Sequence, residues 1–374
     1  MKLIFQKIIK IVLLVMFLLI SLFELKNLQV FAQSGDPVIA GAGDISPRSN
    51  GPQFQTANLL DSINPAFVLT FGDNQYPDGI LADFNTYYHP SWGRFKSRTR
   101  PSTGNHDYHT PGGAGYFDYF NGVGVNSGVA GDRSKGYYSY NVGSWHLIAL
   151  NSEAMSSTQN AWLAADLQAN QGTACTLAYW HEPRFSSGAV HGSNNRSVPF
   201  WDLLYQYKAD VVLNGHDHLY ERFAPQNPSG GSDPTNGIRE FIAGTGGAGL
   251  YAFGSPIANS QFRVSTHGVL KLTLHQTSYD WQFININSQV LDSGSGNCVM
   301  GSAVTSTPGS GPTSTRTPTP PNLPSPTRTR TPTPTLPGVP SPTRTRTPTQ
   351  SVVSPTQIVG SPTPTGNICT YFKN

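Results

Sequence analysis

Five short segments of the sequence place carboxylate, amide, imidazole and phenol side chains directly after apolar runs. These oxygen and nitrogen donors form a ligand set that suits Fe, Zn or Mn better than a thiolate zinc site would. The sequence therefore predicts a metal centre. The segments are Asp44, Gly72-Asp73-Asn74-Gln75-Tyr76, Gly104-Asn105-His106-Asp107, His181 and Gly215-His216-Asp217-His218.

Each segment alone has an ordinary explanation, since an Asp after a strand is commonly a turn or cap residue. The two glycine-containing histidine segments carry more weight. Glycine lets the backbone pass close to a site, and His216 and His218 alternate, so both can project from the same side. Open α/β sheets place their sites at strand ends, and five such segments there indicate one shared site.

The elements that would position these residues are apolar runs ended by Gly, Asn or His, which predict strands. Helical periodicity lies between several of them, over Gln53–Ile63, Thr158–Asn170 (with Ser157 or Thr158 as N-cap) and Val198–Tyr207. Strands alternate with helices early and follow one another late, which indicates an α/β arrangement with two sheets. The predicted strands are Val38–Gly43, Phe67–Phe71, Thr99–Ser102, Tyr137–Val142, Trp145–Leu150, Thr176–Trp180, Val211–Asn214, Glu240–Ala243, Val269–Leu274 and Trp281–Ile286.

Residues 1–32 are typical of an export signal. Lys2, Lys7 and Lys10 precede the mostly apolar run Ile11–Phe23, and the small residue Ala32 closes a cleavage site. The alternative is an uncleaved anchor, but the run is shorter than the roughly 20 residues that a spanning helix needs. We therefore expect cleavage before residue 33, no transmembrane segment afterwards, and a secreted protein that is extracellular or at the cell surface.

The chain changes character after the predicted catalytic domain, residues 33–301. Residues 302–366 are rich in Pro, Thr and Ser, and 16 of the 30 prolines lie between Pro308 and Pro364. Such a segment cannot bury a core and predicts a disordered linker. It is either a semi-stiff spacer, which would allow cell-surface association, or a solvated tail. Residues 367–374 form a short C-terminal stub.

Charge and cysteine content narrow the function classes. The stretch between residues 33 and 303 has a net charge of −6, which argues against stable nucleic-acid binding because phosphate backbones need a basic face. Metal ions could still supply positive charge for a phosphate substrate. Cys175 and Cys298 suit a disulfide in an oxidising compartment, with two free buried thiols as the alternative, and Cys369 is left over.

Taken together, the five segments resemble the ordered motifs of the calcineurin-like metallophosphoesterases, in the purple acid phosphatase branch, from Val38 to about Asp292. The resemblance implies an α/β (α+β) fold, a four-layer sandwich of two mixed β-sheets flanked by helices. It also implies two metal ions, Fe³⁺ with Fe²⁺, Zn²⁺ or Mn²⁺. One ion would be held by Asp44, Tyr76 and His218 and the other by Asn105, His181 and His216, with Asp73 bridging both.

The same resemblance implies that His106 is a general acid or transition-state partner held by Asp107. Ser46 stands where the wider superfamily has a metal-binding His, which leaves Tyr76 to complete that metal. Outside the motifs, His191 is a candidate phosphate ligand or proton donor. We expect Arg184 to form a structural ion pair and His146 to be a structural core residue.

The function implied is a secreted dinuclear-metal phosphatase that hydrolyses phosphate monoesters of small molecules by attack of a metal-bound hydroxide. A phosphodiesterase or nucleotidase using the same site stays an alternative. A non-catalytic cell-surface binding protein is a third interpretation, and the complete ligand set beside a proton donor argues against it.

Overall fold

The computed structural model describes residues 35–299 of the chain. The predicted signal (1–32), linker (302–366) and stub (367–374), with Cys369, lie outside the described residues and stay predictions. Within residues 35–299 no helix is long and apolar enough to cross a membrane.

Fifteen strands are described. In chain order they are β1 (Val38–Ala42), β2 (Phe67–Phe71), β3 (Thr99–Ser102), β4 (Ser127–Gly128), β5 (Gly131–Asp132), β6 (Tyr138–Val142), β7 (Trp145–Ala149), β8 (Cys175–Tyr179), β9 (Val211–Asn214), β10 (Tyr220–Phe223), β11 (Arg239–Ala243), β12 (Ser260–Val264), β13 (Gly268–Leu274), β14 (Ser278–Asn285) and β15 (Val290–Asn297).

The helices are mostly short. The α-helices are α1 (Pro52–Ile63), α2 (Leu81–Asp83), α3 (Ala114–Phe120), α4 (Ser157–Ala169) and α5 (Val198–Gln206). A π-helical turn covers Phe84–Tyr88, and 3₁₀ turns cover Trp92–Arg98, Asp107–His109, Pro111–Gly113 and Asn195–Ser197.

Two mixed sheets form the centre of the fold. The first has the order β15-β14-β13-β1-β2-β3, in which β1, β2 and β3 are parallel and β13 to β15 antiparallel. The second has the order β12-β10-β11-β9-β8-β7-β6, in which β7, β8, β9 and β11 are parallel. β4 and β5 pair separately.

Successive side chains of each strand point to opposite faces of its sheet, and this alternation produces the layers of the fold. Ile39 and Leu69 of the first sheet are in one buried cluster with Leu177 and Leu213 of the second, so the two sheets pack face to face. The alternate residues point outward. Ala40 and Val68 pack with Leu60 of α1 and Trp92, and Ala178 and Val212 pack with Leu163 of α4 and Phe200 of α5. The predicted four-layer sandwich is confirmed.

Three predicted strands match their observed bounds, and the other seven differ by one to three residues at an end. Apart from the two-residue strands β4 and β5, three strands were not predicted: β10, β12 and β15. β10 contains Glu and Arg, β12 contains Gln and Arg, and β15 has the sequence Val-Leu-Asp-Ser-Gly-Ser-Gly-Asn, which is typical of a loop. The N-cap of α4 is Ser156, whose side chain accepts from the Gln159 N–H at 3.2 Å, and neither Ser157 nor Thr158.

Three structural expectations outside the site can be compared directly. Cys175 and Cys298 form a disulfide with Cα atoms 5.3 Å apart, as predicted. His146 is buried and hydrogen-bonded at 2.7 Å to both Asn141 and Asp166, which confirms its structural role. Arg184 forms no ion pair within residues 35–299, contrary to the expectation, and its guanidinium lies over the Phe185 ring, 4.4 Å from the centroid.

Candidate metal centre

All five predicted segments lie at the carboxyl ends of parallel strands. Asp44 follows β1, Asp73 follows β2 and Asn105 follows β3 in the first sheet, while His181 follows β8 and His216 follows β9 in the second. Because the two sheets pack face to face, these ends converge from both sides. The structure thus brings the seven predicted ligands into one site: Asp44, Asp73, Tyr76, Asn105, His181, His216 and His218.

The backbone reverses sharply where the strands end. Asp44, Asp73 and His216 adopt positive φ angles of 59°, 49° and 71°, a conformation that costs L-residues on the order of 1 kcal/mol each. The turns are held by hydrogen bonds, because the His216 N–H donates to Asp44 Oδ2 at 2.8 Å and the His106 N–H donates to Asp73 Oδ1 at 2.8 Å. Each carboxylate therefore keeps its other oxygen for the site.

Two glycines are needed for this close approach. A Cβ at Gly104 would lie 2.2 Å from Asp73 Oδ1, inside contact distance. Gly72 has φ +80°, and a Cβ there would lie 2.4 Å from His181 Nδ1. The glycines noted in the sequence motifs thus make room for the ligands themselves.

One donor cluster forms around the Tyr76 hydroxyl. The hydroxyl lies 2.7 Å from Asp44 Oδ1, 2.8 Å from Asp73 Oδ2 and 3.1 Å from His218 Nε2, and His218 Nε2 lies 3.2 Å from Asp44 Oδ1. The Tyr76 N–H donates to the Ser46 carbonyl at 2.8 Å, which brings the phenol beside Asp44. Tyr76 thus lies beside Asp44 and His218, as the family resemblance implies for a chain with Ser at position 46.

A second cluster forms around His181 Nε2. This nitrogen lies 3.1 Å from Asn105 Oδ1, 3.2 Å from His216 Nδ1 and 3.3 Å from Asp73 Oδ2. His181 Nδ1 bonds the Phe71 carbonyl at 2.8 Å, and His218 Nδ1 bonds the Gly249 carbonyl, so each ring is oriented with Nε2 toward the site.

Asp73 Oδ2 belongs to both clusters, 2.8 Å from the Tyr76 hydroxyl and 3.3 Å from His181 Nε2. Ligand atoms that share an ion at about 2.0–2.2 Å lie about 3 Å apart. The separations in both clusters match that spacing, so the residues fit two cations that share one carboxylate oxygen.

The pKa shifts of Tyr76 and His216 are relevant to cation binding. Burial, and then the charges of Asp44 and Asp73, raise the pKa of Tyr76 well above its ordinary value, so the phenol ionises only beside added positive charge. Burial, and then the charges of His181 and His191, lower the pKa of His216 to about 3. The His216 ring is therefore neutral and able to act as a ligand.

Asp107 requires a correction. It does not hold His106: the buried Asp107 carboxylate accepts from the Asn74 N–H at 3.2 Å, the Asn74 amide at 2.9 Å and the Gly104 N–H at 3.0 Å. The His106 ring instead bonds the Pro77 carbonyl through Nδ1 at 2.6 Å, and its Nε2 lies 3.9 Å from Asp73 Oδ2. Asp107 is thus a positioning residue for the turns that carry the ligands.

His191 lies at the site, as predicted. Its ring stacks on His216 with centroids 4.0 Å apart and also approaches Tyr251 at 5.6 Å. Tyr251 was not predicted, although it stacks on His218 at 3.9 Å with the planes 8° apart. It lies in an irregular segment after Gly244–Gly249 that carries no motif, so no sequence signal distinguished it.

The chain is similar to several known proteins. Residues 37–220 match the family described as calcineurin-like phosphoesterase. Purple acid phosphatase 23 of Arabidopsis thaliana is 28% identical over 220 residues, which cover 49% of this chain and 47% of that protein. Probable inactive purple acid phosphatase 1 of the same plant is 23% identical over 296 residues, covering 67% of this chain and 46% of that protein. The chain thus spans about half the length of these relatives.

Among solved structures, the purple acid phosphatase PPD1 from yellow lupin (Lupinus luteus) superposes with a TM-score of 0.56 at 19% identity, covering 70% of this chain and 54% of that one. At that identity the likeness supports the fold alone. The family match and the purple acid phosphatase relatives support the calcineurin-like phosphoesterase superfamily and, within it, the purple acid phosphatase-like branch.

Proposed function

We propose that the protein is a metal-dependent phosphatase that hydrolyses phosphate monoesters of small molecules. The observation that carries the proposal is the position of Asp73 Oδ2, which belongs to two donor clusters at once. Two bound cations would neutralise the phosphate oxygens and supply an activated water as nucleophile. Fe³⁺ beside Tyr76, with Fe²⁺, Zn²⁺ or Mn²⁺ in the second cluster, suits the phenol, carboxylate and imidazole donors.

Two histidines outside the donor clusters have complementary roles in this proposal. The His106 ring is fixed through Nδ1 on the Pro77 carbonyl, which leaves Nε2 to donate a hydrogen bond to a phosphate oxygen. His191 lies on His216 and is solvent-exposed, where a departing alcohol would leave the site. As the water oxygen bonds to phosphorus, the ester P–O bond breaks and the departing alkoxide takes the proton of His191.

The test compares an aryl phosphate monoester with the matching diester across pH, using the purified protein loaded with metal and the same protein after chelation. We expect faster monoester hydrolysis that chelation abolishes and added metal restores. A visible absorption band that disappears in Tyr76→Phe would identify the Fe³⁺–phenolate pair. Faster hydrolysis of the diester would mean that the protein is a phosphodiesterase or nucleotidase and not a phosphomonoesterase.

A non-catalytic binding protein remains the competing function, and the name of one relative, a probable inactive purple acid phosphatase, is relevant to it. Here the full donor set is present together with His106 and His191, which a passive binder would not need. If the metal-loaded protein binds phosphate esters without turnover, the binding function is correct and the phosphatase is not.

We also propose that the protein is exported with residues 1–32 removed, and that residues 302–366 retain it at the cell surface. N-terminal sequencing of protein from the medium and the cell surface should begin at Gln33. Truncation after residue 301 should move the protein from the surface fraction to the medium. An intact Met1 in a membrane fraction would instead indicate an anchor.

A further inference from the structure

Asp217 stands between the ligands His216 and His218, yet its side chain faces the segment Ser186–Gly192, called here the 186–192 loop. Asp217 is fully buried. Its Oδ2 accepts from the Ser186 hydroxyl and, at 3.1 Å, from the Gly192 N–H, and its Oδ1 accepts from the His191 N–H at 3.3 Å. In the described part of the chain, these hydrogen bonds to its carboxylate all come from this one loop.

The loop is wrapped closely around that carboxylate. A Cβ at Gly188 would lie 2.4 Å from the Asp217 carboxylate, and the Gly188 N–H donates to Ser186 Oγ at 2.9 Å. A larger residue at position 188 would therefore push the loop away from Asp217. A buried carboxylate loses its hydrogen bonds to water, and burial is tolerated only when protein donors replace them. For Asp217 the donors of the loop do so.

A second buried carboxylate holds the start of the loop. Glu221 of β10 accepts from the Ser187 N–H at 2.8 Å and from the Ser187 hydroxyl at 2.6 Å. The Ala189 N–H donates to the Ala252 carbonyl at 3.1 Å, which ties the loop to the segment that carries Tyr251. Because Glu221 already anchors position 187, the contacts of Asp217 determine the part of the loop that ends at His191.

We propose that Asp217 is a positioning residue that places His191 over His216. The proposal rests on the proposed phosphatase function, in which His191 gives a proton to the departing alcohol. Asp217 belongs to the segment that supplies two ligands, so it fixes the distance between the metal centre and His191. The segment then holds the ligands through residues 216 and 218 and the proton donor through residue 217.

The first measurement does not depend on activity. Hydrogen exchange of the 186–192 amides is compared in the full chain, in Asp217→Asn and in the control Asp202→Asn, which changes an exposed carboxylate of α5. Asn keeps the size of the side chain but presents an amide N–H₂ to one set of loop donors. We expect exchange of the His191 and Gly192 amides to rise at least about tenfold in Asp217→Asn and to stay unchanged in Asp202→Asn. Unchanged exchange in Asp217→Asn would overturn the proposal.

The second measurement asks whether Asp217 acts through His191. With two metals per chain retained, Asp217→Asn should lower kcat roughly tenfold or more on an alkyl phosphate and much less on 4-nitrophenyl phosphate, whose leaving group needs no proton. The double variant with His191→Ala should be no slower than His191→Ala alone. Additive losses, or loss of metal from Asp217→Asn, would mean that Asp217 supports the ligands instead.

The two measurements separate the two proposals. If the wild-type protein hydrolyses no phosphate ester, the phosphatase function fails, while the exchange experiment still decides whether Asp217 holds the loop. If hydrolysis occurs and His191→Ala does not slow it, the role of the loop fails while the phosphatase function stands.

Discussion

The imidazole of His191 stacks on that of His216, with ring centroids 4.0 Å apart and the planes inclined by 29°. One ring belongs to a donor cluster and the other is exposed to solvent beside it. His191→Ala should therefore leave the metal content unchanged and lower kcat on an alkyl phosphate by roughly 10²-fold, because general-acid assistance is lost. Steady-state kinetics and elemental analysis of the same preparation measure both quantities.

The matched control for this variant is His275→Ala. His275, like His191, is a histidine outside the donor clusters. Its ring is paired with Asp36 and Asp280, and it lies directly after β13. Its replacement should leave kcat unchanged on both alkyl and aryl phosphates. Equal losses in the two variants would show that the effect of His191→Ala is a general effect on the fold.

His216→Ala should abolish turnover by removing a ligand from the second cluster. His216 Nδ1 lies 3.2 Å from His181 Nε2, and the low pKa of His216, about 3, keeps the ring neutral. We expect bound metal to fall from two ions to one per chain, with a loss of at least about 10³-fold in kcat/KM. Two ions and an unchanged rate in this variant would remove His216 from the ligand set.

Asp73→Asn should reduce bound metal at both positions. Asp73 Oδ2 contacts both clusters, and the charges of His181 and His106 outweigh burial to hold the pKa of this carboxyl below its ordinary value. The amide removes the negative charge that two cations would share. Titration of the apoprotein with metal, followed by calorimetry, should show weaker binding at two sites, and weakening at only one would contradict the bridging position.

The sequence predicted the residues of the site and the elements of the fold to different extents. The five segments were predictable because they follow apolar strands, and some are also marked by glycine or by a repeated histidine, as at Gly215, His216 and His218. The roles of the individual ligands came from the family resemblance. The role of Asp107 was wrongly predicted, because its partners Asn74 and Gly104 are set by how two turns meet, which no local pattern records.

Tyr251 and Asp217 illustrate what local patterns leave out. Tyr251 meets His218 only because an irregular segment folds back over the site, and Asp217 stands inside a recognised motif while bonding a loop 25 to 31 residues away. Among the strands, β15 was missed because serines and glycines hide its alternation, although it pairs along β14. In each case the long-range contact, and not the local preference, determines the structure.

Far from the site, Asp210 should make stability depend on pH. It is 4% exposed, and burial raises its pKa to about 7 even though it accepts from the Thr176 and Val299 N–H groups. A carboxyl with its ordinary pKa in the unfolded chain then binds its proton more tightly when folded. Its contribution is thus fully present below about pH 4 and is lost as pH rises through 7, by up to roughly 4 kcal/mol.

Asp210→Asn should remove this dependence, because the amide stays neutral at every pH. Asn accepts less well from the Thr176 and Val299 N–H groups, and this lowers the stability of the variant by the same amount at each pH. The loss therefore cancels when the change in stability between two pH values is compared. Between pH 4 and pH 8 the free energy of unfolding of Asp210→Asn should therefore rise relative to wild type by up to roughly 4 kcal/mol, measured by chemical denaturation with the disulfide intact. The exposed-site control Asp202→Asn should follow wild type, and parallel curves for wild type and Asp210→Asn would show that Asp210 keeps its ordinary pKa despite burial.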